Sequence, residues 1–171
     1  MFEWWEELLA FFDLGGDVLI VLFFVTAAMW CIIVERFWYL RRVYPVEAGE
    51  RLLRWRKCDD KESWHATRIK EELVSVNRQE LIRLVPQLKT LIALCPLLGL
   101  LGTVTGMIEV FDVMAIAGSS NPRAMASGVS RATIPTMAGM MAALSALYFS
   151  ARLDRRTRNE TRIFEDRLGA R

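Results

Sequence analysis

Three long runs of uncharged, mostly apolar residues divide the chain into alternating hydrophobic and polar parts. The runs cover residues 18–34, 90–108 and 132–151. A helix rises about 1.5 Å per residue, so runs of about 17 to 20 residues approach or match the hydrocarbon core of a bilayer, which is roughly 30 Å thick. The pattern therefore predicts an all-α membrane protein with three transmembrane helices.

The polar segments around these runs complete the predicted domain order. Apolar positions at helical spacing indicate helices in the long middle segment, and a proline at position 122 suits the first turn of a helix. The predicted segments are an amphipathic N-terminal segment (1–17), transmembrane helix 1 (18–34), a helical loop (35–89), transmembrane helix 2 (90–114), a short loop (115–121), transmembrane helix 3 (122–151) and a C-terminal helix (152–171).

The distribution of charge predicts the orientation of these segments. Residues 1–17 contain five acids and neither Lys nor Arg, whereas residues 35–89 contain thirteen Lys or Arg against nine acids. Four arginines follow the third run between positions 152 and 158. Because basic residues favour the cytoplasmic side, we expect the N-terminus on the outer side of the membrane, which is the periplasm for a bacterial inner membrane, and a cytoplasmic C-terminus.

Composition and motifs narrow the class of function. Hydrophobic residues make up 53% of the chain and charged residues 25%, which suits a small multi-span membrane protein with sizeable aqueous segments. The basic residues of the middle segment are interleaved with acids, which favours a face near anionic lipid over nucleic-acid binding. No catalytic motif occurs, so we expect no enzyme activity and no cofactor. Cys31, Cys58, Cys95 and His65 form neither a disulfide framework nor a metal-ligand spacing, so no metal site is predicted.

Small residues recur on one face of each of the last two predicted spans. Gly99, Gly102 and Gly106 are spaced by three and four residues, and Gly139 belongs to a similar stripe in the third span. Helices in lipid associate largely through close packing, which small residues allow. These glycines are therefore predicted to be helix-packing positions.

Prolines and hydroxyls interrupt the same two spans. Pro96 and Pro135 are predicted helix kinks, because proline cannot donate a backbone hydrogen bond. The carbonyl that Pro96 leaves without a donor is either satisfied by a neighbouring helix or used by an ion path. The hydroxyls of Thr103 and Thr105 are expected to bond to a partner helix or to their own backbone, or to face a watery path, and Thr136 lies on a second weakly polar face. These residues alone leave two classes open: a structural membrane adaptor and a subunit of an ion-conducting assembly.

The second run carries a specific resemblance to a known family. Residues 95–107, Cys-Pro-Leu-Leu-Gly-Leu-Leu-Gly-Thr-Val-Thr-Gly-Met, resemble the second span of the MotA/TolQ/ExbB proton-channel family. Residues 128–143, around Thr-Met-Ala-Gly, resemble its third span, and the Glu-Arg pair at positions 35 and 36 is similar to the family pattern. Three predicted spans favour the ExbB and TolQ branch over the flagellar stators, and the short length favours ExbB over TolQ.

The resemblance implies a function in the bacterial inner membrane. It implies a ring, expected to be a pentamer, around single-span helices of an ExbD-like partner that carries the proton-binding aspartate. Proton flow would drive a TonB-like protein and so energise import through the outer membrane. The alternatives are a TolQ-like role in envelope maintenance and an adaptor without ion conduction. Thr103 and Thr136 match family threonines that face the ring interior, and we include Thr105 in this predicted ion pathway.

One position departs from the family pattern. The family commonly has a glutamate five residues before the threonine that matches Thr136, and this chain has Arg131 there. Arginine stays protonated and is a poor proton relay. If the loop is centred near residues 119–120, Thr103 is level with Thr136 and Glu109 is level with Arg131. We therefore predict a Glu109–Arg131 ion pair, within a subunit or between neighbours; the alternative is that the arginine reaches the outer headgroups.

Overall fold

The computed structural model describes residues 3–56, 64–117 and 122–169. Three stretches of helix, Gly16–Trp55, Thr67–Ala115 and Met125–Gly169, are long and apolar enough to cross a membrane. The prediction of an all-helical protein with three long apolar helices is therefore confirmed. The described elements are α1 (Glu3–Trp38), a π-helical segment (Tyr39–Val43), α2 (Tyr44–Arg56), α3 (Trp64–Ile82), α4 (Val85–Ala117) and α5 (Pro122–Gly169).

Parts of three predictions lie outside the described residues. These are the centre of the short loop at residues 118–121, the position of Cys58, and the amphipathic face of the N-terminal segment, whose side chains are described only from residue 16 onward. The predicted boundaries of the spans and loops stay predictions.

The chain divides into two compact units. The first unit contains Met1–Trp30 and Thr90–Leu147, and the second contains Cys31–Lys89 and Tyr148–Arg171. The first unit holds most of the three uncharged runs, whereas the second holds the charged helical segments. The division follows composition, since the first unit is suited to a lipid environment and the second to water.

In the first unit, α1 changes direction just before the first apolar run. Gly16 has φ 64° and ψ −169°, a backbone conformation that is open to glycine and strained for other residues. Beyond it, Leu19, Leu22 and Met29 are buried on one face, while Phe23 and Phe24 are exposed. Exposed aromatic and aliphatic side chains on a span are expected where lipid replaces water as the solvent.

In the second unit, a buried polar network joins three helices. Arg51 on α2 donates to the side-chain oxygen of Asn77 on α3 at 3.1 Å and forms an ion pair with Glu80. The Asn77 amide is fully buried and donates to the hydroxyl of Tyr44 at 3.4 Å. That hydroxyl in turn donates to the backbone carbonyl of Glu160 on α5 at 3.4 Å. The network therefore connects α2, α3 and α5 through their side chains.

A short break separates α3 from α4. Leu84 has φ 65°, which is uncommon for a residue with a Cβ atom, and its carbonyl accepts from the amide of Leu88 at 2.9 Å. Pro86 follows in the first turn of α4, where the missing backbone donor leaves no helical bond unmade. The helical pattern of the middle segment is therefore interrupted two residues before this proline.

Candidate functional site

The closest approach between α4 and α5 occurs at glycines. A Cβ atom on Gly99 would lie 3.0 Å from the Cα of Thr136, and a Cβ on Gly102 would overlap the ring of Pro135. The ring of Pro135 is itself fully buried. Because Gly99 and Gly102 have no side chains, the backbone of α5 and the ring of Pro135 can occupy the space beside them.

The same kind of contact continues towards both ends of the helix pair. A Cβ on Gly106 would lie 2.8 Å from the Cβ of Ala132, and a Cβ on Gly139 would lie 2.5 Å from the backbone oxygen of Cys95. The structure therefore places the glycine stripes of α4 and α5 against each other within one subunit. Neither stripe is left over as a surface for a neighbouring subunit at these positions.

The two prolines lie inside continuous helices. α4 continues through Pro96, and α5 continues through Pro135. The kinks predicted at these positions stay predictions.

The three candidate hydroxyls all donate to backbone carbonyls. Thr136 donates across the helix contact to the carbonyl of Gly99 at 3.0 Å. Thr103 donates within α4 to the carbonyl of Leu100 at 2.6 Å, and Thr105 bonds in the same way to the preceding turn. A hydroxyl that donates its proton still has lone pairs that can accept from water or a neighbouring group. Thr103 is half-buried in the single chain, so its oxygen is accessible from outside the subunit.

The observed register of α4 and α5 differs from the register predicted by counting equal numbers of residues from the loop centre along both helices. Thr136 is level with Gly99, one helical turn before Thr103, which corresponds to about 6 Å along the axis. Nearer the loop, Gly106 faces Ala132 and Gly128 faces Val110. The count assumes that the two helix axes are parallel and that the loop adds equally to both helices. The contacts near the loop depart from the count by about one residue, and the Thr136–Gly99 contact departs by about one turn.

A cavity of about 530 Å³ opens beside the glycine contact, towards the C-terminal end of α4. Its wall combines apolar side chains with Thr105 and three charged residues, Asp17, Glu109 and Arg131. Polar cavities of this size hold several ordered waters. The structure thus brings Thr105, Glu109 and Arg131 to one cavity, while Thr103 and Thr136 lie away from its lining.

The two predicted ion-pair partners share this cavity without touching. Within the described part of the chain, Glu109 and Arg131 are exposed and are not joined by an ion pair. The glycine contacts put Glu109 about two residues away from the level of Arg131, or about 3 Å along the axis. A pair inside an isolated subunit is therefore not formed, and a pair between neighbouring subunits stays a prediction.

Sequence reasoning missed Asp17 as a member of the cavity wall. The sequence places Asp17 in the N-terminal segment, apart from the second and third spans, which carry Glu109 and Arg131. The available signal was its position as the last acid before the first uncharged run, which the predicted topology places at the same end as Glu109 and Arg131.

These features define a helical multi-pass membrane protein whose spans border an open cavity with charged side chains in its wall. The chain belongs to the MotA/TolQ/ExbB proton channel family, which it matches over residues 45–166. This match confirms the resemblance found in residues 95–107 and 128–143.

The similar proteins are ExbB relatives from bacteria and an archaeon. The chain is 54% identical to ExbB-like 1 of Synechocystis sp. over 63 residues, or 35% of this chain and 25% of that protein. It is 48% identical to biopolymer transport protein exbB1 of Vibrio cholerae over 63 residues, or 36% of this chain and 28% of that protein. An ExbB homolog of Methanothermobacter thermautotrophicus is 32% identical over 88 residues, covering 49% of this chain and 31% of the relative. The matched parts thus span about a quarter to a third of these relatives, and they support the ExbB branch.

Proposed function

We propose that this chain is a ring-forming subunit of a bacterial inner-membrane complex that conducts protons. The complex uses the proton motive force to energise TonB-dependent import through the outer membrane. One observation carries the proposal: the α4–α5 pair lies inside the family match and bounds a charged cavity within a protein of three apolar helices. A structural adaptor needs the glycine contacts but has no use for charges at the spans.

The proton carrier at mid-span comes from a partner in this proposal. The uncharged runs 90–108 and 132–151 contain no acid, and an arginine such as Arg131 is a poor proton carrier. An ExbD-like single-span helix supplies the titrating aspartate in the ring interior. The oxygens of Thr103 and Thr136 hold water beside that carboxylate, because a hydroxyl donates and accepts without adding charge, while Thr105 contributes its hydroxyl to the charged cavity.

Exposed apolar side chains support assembly into a ring. In a membrane, exposed apolar side chains can pack against lipid or against a neighbouring subunit. In a closed ring, proposed as a pentamer, some of these side chains contact neighbouring subunits and the rest contact lipid. The exposed residues are Leu97, Leu100, Leu101 and Val104 on α4, and Met137, Met140, Met141 and Leu144 on α5. In this arrangement the N-terminus is periplasmic, and α3 with the end of α5 extends into the cytoplasm.

Proton conduction is tested in liposomes that contain the chain together with a single-span partner. A potassium diffusion potential drives ions inward, and an internal pH dye reports proton uptake. We expect uptake with both proteins present, and a strong reduction for Thr103→Val with retention in Thr103→Ser. Uptake no greater than in protein-free liposomes would favour the adaptor. The same potential with external sodium and an internal sodium-sensitive dye tests whether sodium is conducted instead of protons.

Assembly is tested by the mass of the purified complex in mild detergent. We expect a closed oligomer near five copies. A monomer that still supports import in cells would contradict the ring. Complementation of cells lacking the TonB-energising subunit, compared with cells lacking TolQ, distinguishes import from envelope maintenance.

A further inference from the structure

A second groove lies in the charged unit, between α3, the start of α4 and α5, with a volume of about 410 Å³. It is separate from the cavity beside the glycine contact and shares no residue with it. Its lining is rich in basic side chains, namely Arg78, Lys89, Arg158 and Arg162.

The acids of the groove do not neutralise this positive charge. Asp154 forms an ion pair with Lys89, whose Nζ lies 2.6 Å from the Asp154 Oδ2 atom, and Nη2 of Arg158 lies 3.9 Å from the same oxygen. The only other acid in the lining is Glu165, so four bases face two acids and leave a formal charge of +2. Within the described residues, Arg78 and Arg162 take part in no ion pair. Both residues are exposed, so their guanidinium groups are available to a ligand in the groove.

A buried hydroxyl in the same lining lacks a hydrogen-bond partner. Thr157 is 3% exposed, and its hydroxyl oxygen is buried with no donor or acceptor within reach. Its backbone carbonyl accepts from the hydroxyl of Thr161 at 2.9 Å, so only the side chain is unsatisfied. Buried polar groups are nearly always paired, and an unpaired one beside a basic groove points to a ligand that accepts hydrogen bonds.

We propose that this groove binds a phosphate group. The guanidinium groups of Arg78, Arg158 and Arg162 donate to its oxygens, and Thr157, which lines the groove, donates one further hydrogen bond once its side chain rotates its buried hydroxyl towards the ligand. Arginine suits this role because its planar fork matches phosphate oxygens in a bidentate arrangement. The proposal goes beyond proton conduction, since the groove lies outside the predicted spans.

Two sources present the same phosphate chemistry here. Thr157 lies six residues beyond the third uncharged run, or about 9 Å at the helical rise. The polar headgroup layer occupies roughly the first 5–8 Å outside the hydrocarbon core, so a phospholipid headgroup lies close to the groove. A soluble phosphate compound reaches the same site from the water.

The binding test uses the full chain purified in a neutral detergent. The probes are a fluorescent phosphatidylglycerol, phosphatidylcholine as a zwitterionic comparison, and inorganic phosphate as a competitor. The variants are Arg162→Gln and Thr157→Val, and the matched control is Arg155→Gln, an exposed arginine on α5 outside the groove. We expect each groove variant to weaken binding about tenfold, because each loses a hydrogen bond to a charged group, and the control to change it less than about twofold.

Thr157→Val also separates ligand binding from a structural role. Valine fills nearly the same volume without an unpaired hydroxyl, so the ligand-free variant should melt at the native temperature or above it. Its melting temperature should no longer rise when the probe is added.

The outcomes distinguish the two sources and can overturn the proposal. Binding of phosphatidylglycerol that phosphate does not displace identifies a lipid headgroup, and displacement identifies a site open to free phosphate. Equal loss in Arg155→Gln and Arg162→Gln would show diffuse charge attraction and overturn the site. Native affinity in Thr157→Val, or no binding of either probe, would overturn it as well. The test needs no partner protein, so its failure leaves proton conduction unaffected.

Discussion

Thr136 donates a hydrogen bond from its hydroxyl to the backbone carbonyl of Gly99, over 3.0 Å, and so ties α5 to α4. The contact depends on the missing side chain of Gly99, because a Cβ there would lie 3.0 Å from the Cα of Thr136. The neighbouring candidate, Thr103, bonds only within its own helix. The two threonines therefore differ in structural role even though the sequence predicts both as members of one ion pathway.

This difference predicts different effects of removing each hydroxyl. Thr136→Val should lower the stability of the helix pair by about 0.6 kcal/mol and by no more than roughly 1.7 kcal/mol, the range for hydrogen bonds between helices in a membrane. Thr103→Val should leave stability unchanged, because its hydroxyl bonds only the preceding turn of the same helix. Both should reduce proton uptake. Thermal unfolding in detergent and dye-reported uptake measure the two effects.

The serine variants at both positions serve as controls. Each keeps a hydroxyl and should retain most of the uptake that the valine variant loses. Full uptake in the double valine variant would show that both hydroxyls serve only in backbone bonding.

The glycine contacts predict a strong dependence on side-chain size. Gly139→Ala places a Cβ 2.5 Å from the backbone oxygen of Cys95, so we expect a loss of about 1–3 kcal/mol. Gly49→Ala is the matched control, since a Cβ at Gly49 on α2 meets nothing within 4 Å. That change should stabilise the helix by up to about 1 kcal/mol.

The comparison uses the midpoint of thermal unfolding of each variant. A similar midpoint for the two alanine variants would mean that α4 and α5 do not approach closely at Gly139. Gly102→Leu should be more damaging than Leu101→Ala for the same reason, because bulk at Gly102 meets the ring of Pro135.

The apolar runs and the residues around the second span were sufficient to predict the three helices and the family. Whether a helix can enter lipid depends on its own composition, so the three apolar helices can be predicted without knowledge of tertiary contacts. The partner of the Thr136 hydroxyl was not predictable from the sequence. Sliding α4 by one turn relative to α5 puts Gly99, in place of Thr103, at the level of Thr136. Likewise, Asp17 joined the cavity only through the placement of α1 against the other spans.

The polar network of the charged unit predicts that Arg51 is a structural residue. Arg51→Met removes the donor to the fully buried Asn77 and the partner of Glu80, so we expect a loss of about 1–3 kcal/mol. Arg155→Met, an exposed change on α5, should alter stability by less than about 0.5 kcal/mol. Chemical unfolding of both variants provides the comparison.

A double-mutant cycle with Asn77→Leu tests the route of this effect. If Arg51 acts through Asn77, the double variant should lose less than the two single losses together. Strict additivity would show that the arginine stabilises the unit independently of that amide.

The charged cavity gives the last prediction. Glu109 and Arg131 are exposed on one cavity wall, about 3 Å apart along the axis, and they form no ion pair within the described chain. An arginine near a span is costly without a partner, by roughly 2.5–3.5 kcal/mol at mid-bilayer on insertion scales. We therefore expect Glu109 of one subunit to pair with the arginine of its neighbour in the proposed ring.

Charge reversal distinguishes this pair from two independently solvated side chains. Glu109→Gln should impair assembly or proton uptake, because it leaves the arginine without its anion. Glu109→Arg combined with Arg131→Glu should recover part of what either reversal loses, since the attraction is restored with opposite polarity. Oligomer mass and dye-reported uptake are measured for all four variants under the same conditions. If the double reversal performs no better than the worse single reversal, then the arginine reaches the headgroups alone and Glu109 is simply hydrated.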